Sequence, residues 1–435
     1  MLSEALKLTF IGDVNMSVKN IKMCLFNTLL LVLLSSSVYA IVRRKSQFHT
    51  DLGYMIVPAP YSIPGIGQGL MLYGSGNNLA DTYIDIFGYT FTGDAQGAGL
   101  GISDLHLISE TLIFSVGGEN ITRATVMNYN KRGMETEKDE FNFLEASDIN
   151  GYYADLTMSF FDRKLEVYAD YFFQAVKLDR VRDSEGEIIV DIDNPEPQAI
   201  KNYEYGILID YTDDRQDPRV GFRLKASRMQ SPSEKEFDPE FYSVDYNATG
   251  FIPIGKVSTF ALNVFRSDAV VIREGETDKS KISAKLGMPC ESLANATLRQ
   301  ECVQSRDELV DNTWAANKYG TATSLGGRSR LRAYPGSRFI GAHALFLGSE
   351  FRWNLTDEFT PFDLWVMKDI RTAIQFAFFY ELGSVSDSIS ELGNQTRESY
   401  GSGFRIVTGS GLVYRIDVAF GDEGSAVTMI ADYPW

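Results

Sequence analysis

The sequence predicts an all-β protein and, among all-β folds, a transmembrane antiparallel β-barrel. Three observations lead to this fold class. Apolar and polar residues alternate with a period of two through many segments, as in strands that have one apolar face. After the first forty residues, no apolar run reaches the roughly 20 residues that a membrane-spanning helix needs. The C-terminal segment alternates in the same way and ends on Trp435, as the closing strand of an outer-membrane barrel commonly does.

The N-terminal segment has the organisation of a secretory signal, and residues 1–40 form the predicted signal peptide. Its parts are, in order, a positive region with Lys19 and Lys22, an apolar stretch over Met23–Leu34 and a small-residue cleavage site at Val38–Ala40. Met16 is an alternative start of the chain. Because the apolar stretch is too short to span a bilayer, we predict export and a mature protein that begins at Ile41. Residues 41–435 are then the barrel domain.

Composition agrees with an exported barrel. The chain contains 28 Phe and 22 Tyr, which supply the aromatic girdles that such barrels carry at the membrane interfaces. The net charge of −17 argues against nucleic acid as a partner and fits a polar lumen with charged loops. A large acidic secreted domain would have a similar charge, so charge alone does not decide the class.

Two cysteines follow the predicted signal peptide. Cys290 and Cys302 are separated by eleven residues, and no histidine lies near them, which disfavours a zinc site. In the oxidising environment of an exported protein we predict a disulfide between them, with two free thiols as the alternative.

Alternation is clearest in five segments, in which every second residue is apolar. These segments are Ala154–Phe160, Leu165–Phe173, Tyr203–Tyr211, Phe222–Ala226 and Leu412–Phe420. A soluble β-sandwich also alternates, but it rarely needs so many strands with one wholly apolar face. Transmembrane strands of about 9–11 residues, apolar outward and polar inward, fit the pattern better.

The connections between these segments alternate in length. Short links fall near residues 161–164, 212–220, 253–256 and 408–411, and longer charged links at 130–150, 179–201, 267–329 and 383–400. Short turns at one end and long loops at the other are typical of outer-membrane barrels. The link at 355–370 is longer than this pattern requires, and the link at 421–424 is shorter.

Catalytic and metal-binding motifs are not found in the sequence. There is no Gly-x-Ser-x-Gly nucleophile elbow. His49, His106 and His343 are isolated from one another and from cysteine along the chain. The glycine-rich segments 65–69 and 97–101 lack the strand-to-helix context of a phosphate-binding loop. We therefore expect no enzyme activity, no cofactor and no metal.

The most informative motif lies in the long loop before the last strands. Gly326–Phe339 contains four arginines and the tetrapeptide Leu331-Arg332-Ala333-Tyr334. This tetrapeptide resembles the Arg-Gly-Phe/Tyr loop signature of the bacterial surface antigen superfamily, the outer-membrane β-barrels related to BamA and TamA. Ala333 stands where the family usually has Gly.

Three further segments resemble the same family and occur in the family's order, most clearly between Tyr211 and Trp435. One is a turn motif formed by Asp214, Arg215, Asp217, Pro218 and Gly221. Another is Phe379-Tyr380-Glu381-Leu382-Gly383 on the strand after the loop, where Glu381 replaces the family's Asp. The last is the closing strand, with Val427, Met429, Tyr433 and Trp435.

The resemblance implies a barrel of about sixteen strands in which the signature lies in the sixth outer loop. The five strands expected after this loop lie near 343–354, 371–382, 401–408, 411–421 and 425–435. In the N-terminal half, strands are expected near 51–58, 67–74, 82–92, 105–116 and 119–129. Too few residues separate Ile41 from the first strand to form the periplasmic POTRA modules of BamA and TamA. The expectation is a barrel domain without POTRA modules.

In this family the signature loop folds back into the lumen, where its arginine meets an acidic residue of the barrel wall. The resemblance assigns these roles to Arg332 and Glu381, with Tyr334 and Gly383 as further parts of the two motifs. The alternation along this strand also supports a lumenal position for Glu381. Every second residue from Ile374 to Tyr380 is apolar and forms the outward face, so Glu381 falls on the opposite face. A solvated basic loop on an acidic protein is the alternative.

The function that the resemblance implies is assembly, insertion or translocation of proteins in the bacterial outer membrane. Its physical basis would be a weak seam between the first and last strands, since an open edge can template an incoming strand. Outer-membrane lipid and nascent outer-membrane or exported proteins are the expected partners of a monomeric barrel, without nucleic acid. The alternative is a passive or gated, porin-like channel, or a structural barrel, with the Arg332 loop as plug or gate.

Overall fold

The structure is a computed structural model. It describes residues 46–49, 52–129, 131–233, 236–255, 257–288, 290–292, 295–356, 362–370, 372–408 and 412–435. The predicted signal peptide and its cleavage site lie outside the described residues. Within the described ranges, no helix is long and apolar enough to cross a membrane.

In the part of the chain that the structure describes, nineteen strands form one antiparallel sheet. In chain order they are β1 (Gly53–Ile63), β2 (Gly67–Asn77), β3 (Asp85–Gly93), β4 (Gln96–Ile108), β5 (Leu112–Tyr129), β6 (Phe141–Phe160), β7 (Leu165–Arg182), β8 (Ile188–Asp191), β9 (Gln198–Asp210), β10 (Gly221–Ser231), β11 (Glu240–Ile254), β12 (Ser258–Arg273), β13 (His343–Asn354), β14 (Phe362–Leu364), β15 (Met367–Ile370), β16 (Thr372–Ser386), β17 (Arg397–Thr408), β18 (Val413–Gly421) and β19 (Gly424–Ala431).

Sixteen of these strands form a closed antiparallel barrel, which confirms the predicted fold class and strand number. The three others are accessory: β8 extends β7 within a loop, and β14 and β15 form a hairpin between β13 and β16. The barrel closes where β1 pairs with β19. Five barrel strands, β13 and β16–β19, follow the long loop, as predicted.

The two ends of the barrel differ in their connections. One end, here called the turn end, carries residues 46–49, the C-terminal residues after β19 and links such as Phe161–Lys164 between β6 and β7. The opposite end, the loop end, carries the long connections, of which residues 274–342 between β12 and β13 are the longest. Two links depart from this pattern, as the sequence indicated. The link at 355–370 is long although it lies at the turn end, and it contains the β14–β15 hairpin. The link at 421–424 is short although it lies at the loop end.

Within its described residues, the long loop begins with two α-helices. Helix α1 (Lys279–Leu286) starts at Asp278, whose carboxylate accepts a hydrogen bond from the Ser280 N–H at 2.9 Å. Helix α2 (Ala296–Tyr319) starts at Asn295 in the same manner. The predicted disulfide is present between Cys290 and Cys302, and both cysteines pack against Ile189 of β8. The disulfide therefore ties the helical part of this loop together beside the β7–β9 connection.

The barrel strands carry apolar side chains on the outward face and polar or small ones toward the lumen. On β6, Leu156, Met158 and Phe160 are exposed outward, whereas Thr157 and Ser159 are buried on the inner face. The outward set elsewhere includes Leu70, Leu100, Ile207, Phe378 and Phe404. A continuous apolar surface of this kind is unfavourable in water by about 25 cal/mol per Å². It therefore defines a membrane-embedded barrel.

Two strands predicted in the N-terminal half are wrong. The segments 105–116 and 119–129 are not separate strands, because β5 runs unbroken through Gly117 and the preceding strand is β4. A Cβ at Gly117 would lie 2.5 Å from the ring of Tyr153 on β6. Glycine favours a turn in a sequence pattern, but here it makes room in the barrel wall for an aromatic side chain.

Candidate functional site: the lumenal loop and the barrel seam

The C-terminal part of the long loop enters the lumen as a narrow hairpin. Leu325 and Phe339 exchange backbone hydrogen bonds of 2.9 and 3.0 Å at its base, and the Gly327 N–H donates to Tyr334 O at 2.8 Å. Gly326 has φ +108°, and a Cβ there would lie 2.2 Å from Pro335 O, so only glycine fits. The left-handed residue near the tip is Leu331 with φ +54°, whereas the φ of Ala333 is not positive. Alanine at position 333 is therefore compatible with the backbone.

Arg332 at the tip of this hairpin is fully buried against three carboxylates. Its Nε donates to Glu381 Oε1 at 2.8 Å, and its backbone N–H donates to the other oxygen of the same carboxylate at 2.8 Å. Its Nη1 lies 2.8 Å from Asp417 Oδ2 and 3.2 Å from Glu350 Oε2. Burial opposes the charge of Arg332, but these carboxylates outweigh it and hold its pKa above the ordinary value. The structure thus brings the two residues of the predicted pair into direct contact.

Three arginines of the barrel wall complete this ion network. Arg352 Nε and Arg405 Nη2 each lie 2.7 Å from Glu350, and Arg415 Nη1 lies 2.7 Å from Asp417. All of these side chains are inaccessible to solvent or nearly so. Removing one partner from a buried network leaves a charge uncompensated, which typically costs about 3–5 kcal/mol. The network is therefore a strong restraint on the position of the loop.

Gly383 of β16 provides the space that the loop needs. It faces the lumen two residues after Glu381, and a Cβ there would lie 2.7 Å from Leu331 Cδ1 and 2.8 Å from Leu325 Cδ1. The spacing Glu381-x-Gly383 thus places an acceptor for Arg332 beside a position without a side chain, where the leucines of the loop pack.

Tyr334 and Arg338 connect the loop to the strands near the C-terminus. The Tyr334 hydroxyl donates to Glu398 O at 3.0 Å and accepts a hydrogen bond from the Asp422 N–H at 3.2 Å. Arg338 binds Glu423 through Nη2 at 2.6 Å. Asp422 and Glu423 form the turn between β18 and β19. The loop therefore holds the turn that leads into the last strand.

The turn motif between β9 and β10 lies inside the turn end of the barrel. Asp214 and Asp217 are fully buried, and Asp214 Oδ1 accepts hydrogen bonds from two backbone N–H groups of its own turn. Pro218 is also buried. Gly221 has φ +110°, and a Cβ there would lie 2.0 Å from Tyr211 O, so glycine is required where β10 begins.

Arg215 links this turn motif to the chain before β1. Its Nη2 lies 2.8 Å from Glu166 Oε2, and its backbone N–H donates to the Gln47 side chain at 2.8 Å. Phe48 is almost fully buried, and the Arg163 guanidinium lies 5.3 Å from its ring centroid. Residues 46–49 thus occupy part of the lumen at the turn end.

The predicted closing strand is correct in its first part and wrong in its last residues. β19 includes Val427 and Met429 but ends at Ala431. Tyr433 does not face outward: its hydroxyl donates to Asp217 Oδ1 at 2.6 Å, inside the barrel. Trp435 packs against the lumenal core cluster. Alternation predicts outward positions for both aromatics, but the chain bends at Asp432, and lumenal partners hold the residues that follow.

The C-terminal bend has two identifiable causes. Arg415 binds the Asp432 carboxylate at 3.0 Å. Pro434 has no N–H and cannot continue a strand ladder. The Arg352 guanidinium lies 4.3 Å from the Tyr433 ring centroid, so the bent segment rests on the ion network of the loop.

Several parts of this site are not indicated by any motif in the sequence. Arg352, Arg405 and Arg338 were not singled out, although arginine at an inward position of an alternating strand is a usable signal. Arg415 and Asp417 lie between the apolar positions of the alternating segment Leu412–Phe420, and the structure places both toward the lumen. The contacts of residues 46–49 had no signal in the sequence, because their partners lie far along the chain.

One histidine that is isolated in the sequence is not isolated in the fold. His49 Nδ1 lies 2.5 Å from Asp85 Oδ2, and ligand atoms of His49, Asp85 and Asp104 lie within 4.8 Å of one another. These groups could hold a metal ion. Arg163 already neutralises Asp104 at 3.0 Å, however, and Asp85 accepts from Asn77 at 3.0 Å, so we do not propose a metal site.

The fold is a sixteen-stranded, membrane-embedded barrel with a loop inside its lumen, and solved structures with a similar fold exist. CdiB from Escherichia coli has 12% identity and a TM-score of 0.49, with 87% of this chain and 61% of that chain covered. CdiB from Acinetobacter baumannii has 10% identity and a TM-score of 0.47, with 87% and 59% covered. BamA from Haemophilus ducreyi lacking POTRA domains 1–3 has 12% identity and a TM-score of 0.44, with 89% and 70% covered.

The chain spans about three fifths of the length of the two CdiB chains. At these identities the likeness concerns the fold alone. The sequence matches no protein-family model and no curated protein.

Proposed function

We propose that this chain is a monomeric barrel of the bacterial outer membrane that inserts or translocates proteins at the seam between β1 and β19. Its partners are then outer-membrane lipid and nascent outer-membrane or exported proteins, and it performs no catalysis. The observation that carries the proposal is the weakness of this seam.

Backbone pairing at the seam is minimal. Among the described residues, Ser62 opposite Met429 is the single register pair between β1 and β19. On the other side of β19, the ladder with β18 is unbroken from Tyr414 to Gly421. An antiparallel wall with one short ladder separates most easily there, and the separated strands present free edges.

Two prolines of β1, together with the end of β19 at Ala431, limit how far the seam closes. The Tyr414 hydroxyl donates to Pro60 O at 2.6 Å, so the carbonyl of Pro60 faces the seam. The N–H and C=O of one strand residue point to the same side, and alternate residues share that side. Pro58 and Pro60 would therefore direct their N–H groups into the seam, and proline has none. Side chains substitute in part, since Ser62 Oγ donates to Val427 O at 2.8 Å.

The loop holds the seam together at the loop end. The Gly336 N–H donates to Pro64 O in the β1–β2 turn at 3.1 Å, while Arg338 binds Glu423 in the β18–β19 turn. Both sides of the seam are thus attached to the same loop. Because no such clamp joins β1 to β19 at the turn end of the described chain, separation is expected to begin there.

A disulfide across the seam tests this function. Ser62→Cys with Met429→Cys places two cysteines directly opposite each other, and oxidation should lock the strands. The purified barrel is reconstituted in liposomes, and an unfolded eight-stranded barrel protein is added from urea. We expect at least a tenfold loss of insertion on oxidation, with recovery on reduction. The control Leu224→Cys with Ala248→Cys locks β10 to β11, which already share a full ladder.

A gated channel is the second candidate, because the loop does not fill the lumen. A cavity of about 380 Å³ remains at the turn end, and it is lined by charged residues that include Arg163, Arg215, Arg223 and Lys225. Single-channel recording in planar bilayers separates the two functions. Conductance that survives the seam disulfide, together with no insertion activity in the unlocked protein, would favour the channel.

A further inference from the structure

The hairpin β14–β15 pairs with the edge of β1 that β19 leaves free. Tyr54 lies opposite Lys368, and Met55 lies opposite Met367. β19 ends at Ala431, before it could reach this part of β1. The hairpin comes from the connection between β13 and β16, which are not neighbours of β1 in the barrel. It therefore occupies a strand edge that belongs to the seam.

We propose that the β14–β15 hairpin blocks the free edge of β1 and that an incoming strand must displace it. The inference rests on the proposed function and concerns its regulation. The incoming partner is an extended amphipathic segment, because β1 directs Tyr54 and Ile56 outward and buries Met55 on the other face. A segment that alternates apolar and small residues matches both faces.

The attachment of the hairpin to β1 is weak enough for exchange. Its ladder with β1 has the two register pairs given above, whereas β1 pairs with β2 along its whole length, from Gly53 to Ile63. The hairpin is also short, with Phe362 opposite Ile370 near its open end. Trp365 in its turn is 95% exposed, so this side chain does not anchor the hairpin in the barrel. A longer strand that pairs with more of β1 would replace these contacts with more hydrogen bonds.

The hairpin also accounts for the length of its connection. The base of the connection is fixed, since the Leu355 N–H donates to Ile374 O at 2.8 Å and the Ile374 N–H donates to Thr356 Oγ1 at 2.8 Å. A tight turn would suffice to join β13 to β16. The additional residues supply a strand for the open edge, which an exposed sheet edge otherwise leaves available to any extended chain.

Two variants should change the attachment of the hairpin to β1 in opposite ways, one by weakening it and one by locking it. Lys368→Pro removes the N–H at a position that pairs with β1 and should release the edge. Lys368→Ala removes the same side chain but keeps the N–H, so it separates the two effects. Tyr54→Cys with Lys368→Cys locks the hairpin onto β1 when oxidised. Each protein is reconstituted and given the same unfolded eight-stranded barrel protein, and its own folding is checked by heat-modifiable migration.

We expect Lys368→Pro to raise the initial insertion rate at least threefold over Lys368→Ala. The oxidised hairpin lock should lower the rate at least tenfold, with recovery on reduction. Wild-type protein treated with the same reductant controls for loss of the Cys290–Cys302 disulfide. If the hairpin lock has no effect while the Ser62–Met429 lock abolishes insertion, the hairpin does not block the edge and the proposed function stands. If neither lock changes insertion, the proposed function itself is wrong.

Discussion

The lumen has an N-terminal wall, which includes β6, β7 and β9, and a C-terminal wall, which includes β13, β16 and β18. The two walls differ in how their acidic residues are paired. On the C-terminal wall, Glu350, Glu381 and Asp417 are buried, and each is bound by at least one arginine. On the N-terminal wall, Asp155 of β6 lies directly opposite Asp170 of β7, which in turn lies opposite Glu204 of β9. These three acidic side chains are only partly buried.

The difference shows what the ion network stabilises. On both walls the backbone ladders are continuous at the positions of these acidic residues, so neither wall needs ion pairs there to hold its strands together. Like charges in direct opposition destabilise a sheet unless other groups screen them. Lys225 lies 2.9 Å from Glu204, and all three acidic side chains keep part of their surface accessible to solvent. On the C-terminal wall the loop excludes water, and the arginines replace it. The ion network therefore stabilises the position of the loop in the lumen and not the pairing of the strands.

Breaking the Arg332–Glu381 pair should have the largest effect. Arg332→Ala or Glu381→Ala leaves a buried charge without its partner and should cost about 3–5 kcal/mol. The double variant should be no worse than the worse single variant. Denaturant unfolding measures stability, and limited proteolysis measures release of the loop. Arg328→Ala, in the same loop but with an exposed side chain, is the matched control. Losses that simply add, or unchanged digestion in both single variants, would show that the residues do not interact.

A methyl group at Gly383 should expel the loop without changing any charge. Gly383→Ala places a Cβ 2.7 Å from Leu331 Cδ1, and overpacking of this kind costs about 1–3 kcal/mol. Gly74→Ala is the control on the N-terminal wall, where the nearest atom would be 3.8 Å from the new Cβ. We expect a lower melting temperature and faster loop proteolysis for Gly383→Ala alone. Equal behaviour of both variants would mean that the loop does not pack against position 383.

The sequence predicts the C-terminal wall better than the rest, for a physical reason. Alternation with period two depends only on the strand itself and on its lipid-facing side. The sequence therefore predicts β13 at residues 343–354, where the structure has it. Parity likewise put Glu381 on the lumenal face before any partner was known. In the N-terminal half, lumenal glycines such as Gly117 accommodate aromatics of other strands and interrupt the local pattern.

Features that depend on distant partners could not be predicted. Tyr433 turns inward because its hydroxyl lies within hydrogen-bonding distance of the acceptor oxygens of Asp217 and Gln375. Both residues are far from Tyr433 in the sequence. The length of the 355–370 link was noted, but its pairing with β1 is not encoded locally. Long-range contacts of this kind leave no periodic signal in the segment that makes them.

Neutralising an acid on the N-terminal wall should have little effect, which sharpens the contrast between the walls. Asp170→Asn replaces the middle one of three directly opposed acidic side chains with a neutral amide and should leave stability unchanged or raise it by up to about 1 kcal/mol. Asp417→Asn on the other wall should destabilise, because Arg332 and Arg415 lose a charged acceptor. Unfolding in denaturant compares the two substitutions. If Asp170→Asn lowers the free energy of unfolding as much as Asp417→Asn does, the two walls do not differ in how solvent reaches their acidic residues.

The smallest predicted effect concerns the seam, where an N–H group can be restored. Pro60→Val supplies a donor that faces β19 and should add about 0.5–1.5 kcal/mol if a hydrogen bond forms across the seam. The expected results are a higher temperature for the heat-modifiable shift and slower insertion of the unfolded barrel protein. Pro253→Val makes the same exchange on β11, away from the seam, and controls for the general effect of removing a proline.

If the temperature of the heat-modifiable shift rises equally in both proline variants, the gain in stability comes from the unfolded chain or from strand propensity and not from the seam. A rise confined to Pro60→Val, with slower insertion, would tie the missing N–H of a single residue to the opening of the barrel. In that case the weakness of the seam is a property of the sequence of β1 itself, and the loop that clamps the loop end keeps the remaining contacts from separating.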